Sequence, residues 1–220
     1  INLSESGYRV FKNNFYELIL DVGKIGPDYQ PGHSHADTFN FLLYYNKKPI
    51  IVDSGLSSYS NYELRSYDRS TKAHNCVEIN NKNSSEVWSF FRVANRARVN
   101  LHHDGQNKII ASHNGYKKYN YTRYWELEKN KIIVKDKIIG ENYFAKSYLH
   151  FHPKCKVEIS DNILNINSNI KIIINGEYKN IRLINTNFSD QFNEIKFKKT
   201  VEIEFNDNLQ LVIKFNKWEF

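Results

Sequence analysis

The sequence predicts an all-β protein, an antiparallel β-sandwich of many strands with little helix. Three observations carry this. Short apolar or alternating segments recur along the chain, turn residues separate them at short intervals, and no long stretch repeats its apolar residues at helical spacing. The chain has 220 residues, 40% of them apolar, with 15 Tyr and 14 Phe. A chain of this size buries roughly 70% of its unfolded surface, so it can build a sizeable core. With no Pro/Gly-rich linker and no internal repeat, residues 1–220 read as one domain.

The strands follow in order. "YRVF" and "YELILDVG" flank Asn13-Asn14, which reads as a tight hairpin turn. "FNFLLYY" (39–45) is continuously apolar, as in a strand covered on both faces. "KPIIVDSG" follows across an Asn46-Lys47-Lys48 turn. Only "NYELRSYDRS" (61–70) has room for a helical turn or two, and it reads equally as an irregular loop. Further strands are "HNCVEIN", "SFFRVANRARVNLHH", "YTRYWELEKNKIIVKDKIIG" and "KSYLHFHP". "KVEISDNILNINS" turns about Asp161-Asn162, and "IKIIING" and "TVEIEFNDNLQLVIKF" close the series.

The net charge is +7. It suits an anionic partner such as an acidic polysaccharide, a nucleic acid or a membrane surface, or it serves solubility alone. The basic residues are scattered, with no polybasic run that argues for nucleic acid. Cys76 and Cys155 lack metal-binding spacing and read as buried thiols rather than a disulfide, which leaves the compartment open. No apolar run reaches the roughly 18 residues a membrane span needs.

Chemistry concentrates in "PGHSHADTFNFLLYYNKKPIIVDSG" (31–55). In an extended chain, residues two apart share a face, so His33, His35 and Asp37 would point one way. Pairing about the Asn46-Lys47-Lys48 turn would bring Asp53 beside His35, and His74 opens a later strand. Two His and one Asp make a zinc-compatible nitrogen and oxygen set. On spacing alone, hydrogen-bonded polar groups at strand ends are the favoured reading.

From Gly32 to Val99 the order and spacing of HxHAD, the apolar strand, "VDSG", a nearby Tyr, "RSTKAHN" and "WSFFR" resemble the heparinase II/III-like family of polysaccharide lyases. The resemblance implies a C-terminal β-sandwich that normally packs on an N-terminal α/α toroid, with the active cleft between them. The toroid, which supplies an Asn or His and a Tyr for proton transfer, has no counterpart in these 220 residues. By resemblance His33 lies in the catalytic cleft. His35, Asp53 and His74 match the ligands of members that bind a structural zinc, which would fix the loop carrying His33 rather than activate water. Tyr59 is a candidate for substrate binding. Arg69 would either clamp a carboxylate or brace the loop before His74, with bracing favoured. Asn75 would cap a turn or touch sugar.

Trp88 reads as core rather than sugar platform, and His102, His103, His113, His150 and His152 as ordinary strand residues. The function expected is the sandwich half of a lyase that cleaves an anionic, uronic-acid-containing glycan by β-elimination, inactive without its toroid. The alternative is a non-catalytic carbohydrate-binding or surface-polysaccharide assembly module. A periplasmic or secreted location goes with the first reading, and a cytoplasmic one with an assembly system.

Overall fold

The computed structural model describes residues 1–216. The first sheet has five antiparallel strands in sequential order: β1 (Asn2–Leu3), β2 (Tyr8–Lys12), β3 (Tyr16–Asp21), β4 (Phe41–Tyr45) and β5 (Lys48–Ile51). Its two predicted turns form for clear reasons. The Asn13 side chain accepts from the amides of Phe15 and Tyr16. Asn46 and Lys47 both adopt positive φ, which matches the twist a two-residue hairpin requires.

β4 is not covered on both faces as its apolar run predicts. Phe41, Leu43 and Tyr45 are buried while Leu42 and Tyr44 are half-exposed, because only one face of this sheet meets the core.

After α1 (Tyr62–Asp68) come β6 (Val77–Ile79), then β7 (Glu86–Trp88) and β8 (Arg92–Ala94), which form a separate two-stranded ribbon. The remaining strands are β9 (Val99–Asp104), β10 (Lys108–His113), β11 (Asn120–Glu128), β12 (Lys131–Ile139), β13 (Ala145–His150), β14 (Val157–Ser160), β15 (Ile163–Ile166), β16 (Ile170–Phe188) and β17 (Lys196–Phe215). They build the large sheet in the order β14-β15-β16-β17-β12-β11-β10-β9, and β13 lies between β17 and β6. β17 pairs with β16 along most of its length, with β13 through its first half and with β12 through its second.

The inward faces of both sheets share one core, with Leu18, Leu43 and Ile51 from the first and Trp125, Val134, Ile203 and Leu211 from the second. Inside it sits a polar weld. Arg123 and Asp136, each 1% exposed, pair at 2.6 Å, and Tyr121 also donates to Asp136. The Arg123 guanidinium further donates to the carbonyls of Phe39 and Asn75. Every charge is matched, as a buried pair demands. The weld fixes the backbone on either side of the histidine-bearing loops.

Trp88 departs from the expectation of a core residue. It is 42% exposed, because β7 and β8 stand apart from both sheets. Cys76 and Cys155 are buried free thiols. His102, His103, His113 and His150 lie on strands as predicted, while His152 falls just beyond β13.

Candidate functional site

The HxH segment is not extended. Pro31 fits the first position of a helical turn, where its fixed φ costs nothing, and residues Pro31–His33 form a 3-10 turn. The two imidazoles therefore part. His33 is exposed, with Nδ1 3.3 Å from the Tyr59 hydroxyl and its ring edge-on to Tyr59 and Phe91. His35 turns inward, its ring 5.3 Å from that of His74. Same-face geometry thus fails for His33, while His35, Asp53 and His74 do come together.

His74 is 1% exposed and donates from Nδ1 to Asp53 at 2.8 Å. Asp53 also accepts from Asn40 and from the Gly55 amide. Burial pushes the Asp53 carboxyl up, but the His74 charge and these donors prevail and leave it below the usual carboxylate range. Burial likewise pushes His74 down, yet Asp53 and then Asp37 pull it up to about 8. His35 falls to about 3, first through burial and then through the neighbouring His74 charge. Close by, Asp21 rises to about 7 through burial and the Asp37 charge, and burial raises Asp37 itself.

Two nitrogen donors and surrounding carboxyls form the chemistry of a zinc-type site. The Nε2 of His74 is buried with no hydrogen-bond partner, and it would have to give up its proton to hold an ion. His35 Nε2, by contrast, faces the Arg65 guanidinium at 3.1 Å, and among the described residues no three His, Cys, Asp or Glu side chains stand arranged around a common point. The residue types of His35, Asp53 and His74 suit a divalent ion; their arrangement here does not form a site for one.

Arg65 of α1 and Arg69 at its C-terminal cap hold the site. The helix begins where the Asn61 side chain accepts from the Leu64 amide. Arg69 is buried and donates to the carbonyls of Ser34 at 3.0 Å and Arg92 at 3.0 Å, with longer contacts to those of Trp88 and Ser89. Its hydrogen bonds go to backbone carbonyls, which brace the loop.

Arg65, unremarked in the sequence, is the connecting residue. Its guanidinium reaches His35, donates to the Phe90 carbonyl, and lies 5.1 Å from the centre of the Tyr59 ring. The available signal was Arg65, Asp68 and Arg69 at helical spacing, one charged face on a short helix. That face is buried rather than solvated. Asn75 is also fully buried. It donates to the Phe41 and Val52 carbonyls and accepts from the His150 amide, joining the two sheets instead of touching sugar.

An antiparallel sandwich that gathers the HxHAD, VDSG and RSTxAHN segments at one end is the class these observations define. The model of the family Heparinase II/III-like, C-terminal, matches residues 1–217, and the chain belongs to that family. A heparin-sulfate lyase of Bacteroides stercoris is 27% identical over 160 residues, 70% of this chain and 23% of that protein. Among solved structures, a heparinase III superposes with a TM-score of 0.81 at 18% identity, over 97% of this chain and 35% of its own. The heparan sulfate lyase HepC from Pedobacter heparinus gives 0.77 at 17% identity, over 100% of this chain and 37% of its own. These structural likenesses concern the fold. The chain spans about a third of the solved lyases and under a quarter of the curated relative.

Proposed function

We propose that this chain is the β-sandwich half of a polysaccharide lyase. Its substrate is an anionic, uronic-acid-containing glycan of the heparan sulfate class, cleaved by β-elimination, and a helical toroid supplies the opposite wall of the cleft. The observation that carries the reading is His33, exposed and in contact with the Tyr59 hydroxyl, two residues from His35, whose ring lies beside that of buried His74.

Elimination removes the proton beside the uronate carboxylate and expels the glycosidic oxygen at C4. Negative charge builds on the carboxylate meanwhile, and donors held in place where water is scarce stabilise it best. His33 is such a donor. Tyr59 orients its ring, and Arg65 backs Tyr59. Arg69 holds the chain at Ser34, between the two histidines. A zinc ion held by His35, Asp53 and His74 would supply rigidity to this loop. The reading places the protein where such glycans are met, in the periplasm or outside the cell.

The test joins the chain to its helical region and follows the ultraviolet absorbance of the unsaturated product across a panel of uronic-acid polymers. His33→Ala should reduce turnover more than glycan binding. Binding without any elimination would instead make the chain a carbohydrate-binding module. Metal is read separately. Protein purified without chelator should hold close to one zinc per chain, and His35→Ala should release it. Protein that retains no zinc even after soaking has a hydrogen-bonded cluster there and no metal centre.

A further inference from the structure

The cleft at His33 does not end at the histidine loops. A cavity of about 540 Å³ contains His33, His35 and Asp37. Lys24, Ile25, Gly26 and Asp28 line it, and the same four residues line a second trough of about 880 Å³. The loop following β3 forms one wall of the trough, and residues 94–99 form the other. Buried Ile25 and Ala97 give it an apolar floor.

The two ends differ in charge. Near His33 the lining carries Glu5, Asp21 and Asp37. The far trough carries Lys24, Arg96, Arg98 and Lys117, and its single carboxylate, Asp28, pairs with Arg96 at 3.1 Å. Lys24, Arg98 and Lys117 are exposed, and none of the three pairs with a carboxylate among the described residues. Unpaired cations gathered around one trough repel one another, and a polyanion relieves that repulsion.

We propose that this trough is an anion-binding subsite, in which Lys24, Arg96, Arg98 and Lys117 hold sulfate or carboxylate groups of a glycan whose chain continues from the His33 cleft. The inference rests on the lyase reading for the chain's direction and identity, and on the trough itself for its charge. It assigns substrate length and sulfation preference to residues outside the HxHAD and RSTxAHN segments.

The experiment measures binding of a fluorescent heparin-derived oligosaccharide to the 220-residue chain at low ionic strength. A neutral oligosaccharide of equal length, desulfated and carboxyl-reduced, serves as reference. Arg98→Glu with Lys117→Glu reverses two exposed charges of the trough. Lys171→Glu with Lys214→Glu does the same on exposed positions of β16 and β17. Unchanged melting temperatures establish that both double variants are folded.

The trough variant should bind about tenfold more weakly, with a shallower salt dependence, while the distant variant stays within about twofold. The neutral sugar should distinguish none of them. Equal losses in both variants, no loss in the trough variant, or no binding of the charged probe by the parent chain would overturn the subsite. The lyase reading fails separately. If the trough variant binds weakly as expected but the longer protein eliminates no uronate, the subsite stands and the enzyme does not. If His33→Ala abolishes elimination while the trough variant binds normally, the reverse holds.

Discussion

His113 shows how a single buried side chain sets a response to acid. Its Nε2 has no hydrogen-bond partner, and its ring packs among Phe39, Tyr116 and Tyr121. Burial and then the Arg123 charge lower its pKa to about 3, from an ordinary 6.5. Between those values the unfolded chain binds the proton and the folded chain does not, so stability falls as pH drops through that window. The effect is on the order of 3–5 kcal/mol at full extent. In urea unfolding followed from pH 7 to pH 4, His113→Gln should flatten the decline; an unaltered slope assigns the acid sensitivity to other groups. Reading single residues from the sequence picks out neighbours, since Asp53 pairs with His74 and the His35 ring lies beside that of His74, without three ligands around one point. It failed where tertiary packing decides, because Trp88 lies on a ribbon outside the core and Arg65 is buried against the histidines. Asn75, unresolved between turn and sugar, turned out to join the sheets.

At the scale of elements, the loop between β5 and α1 makes a close backbone contact with the chain just beyond β16. Gly55 adopts φ +78 and bridges in parallel to Ser189, and a Cβ there would lie 1.9 Å from the Ser189 carbonyl oxygen. Gly55→Ala must therefore displace backbone in the segment that carries Asp53. The expected result is a loss of about 2–4 kcal/mol in unfolding free energy, together with weaker zinc retention if Asp53 is a ligand. Ordinary stability would mean that the loop moves freely and that its pairing with Ser189 does not hold Asp53. Strands and hairpin turns are legible because alternation and asparagine turns are local signals, and of the two readings open for residues 61–70 the helical one is what forms. The HxH turn has no such signal in strand periodicity, because Pro31 starts a helical turn just where an extended chain would put both histidines on one face.

For the whole molecule, the proposed lyase role makes the sandwich one wall of a cleft. Base, acid and carboxylate stabilisation must be held together for elimination, and positioning alone is worth roughly 7–11 kcal/mol of barrier. The 220-residue chain by itself should therefore show no useful elimination, and joining it to the helical region should restore it. Robust activity from the isolated chain, abolished by Tyr59→Phe, would put the proton transfer on the sandwich side. Fold class was legible because strand density is a property of the entire sequence. Which strands share a sheet was not, since β6 joins β13 across more than sixty residues, a partnership with no local signature.

β17 has a kinetic consequence. Three neighbours hold its backbone at once, with β16 on one side and β13 then β12 on the other. A strand clamped this way cannot fray alone, because releasing its middle means parting the large sheet. Amide protons near Val201, Ile203 and Leu211 should then exchange with deuterium only when the entire domain opens, at one shared rate that tracks global stability, whereas amides of the β7–β8 ribbon should exchange orders of magnitude sooner.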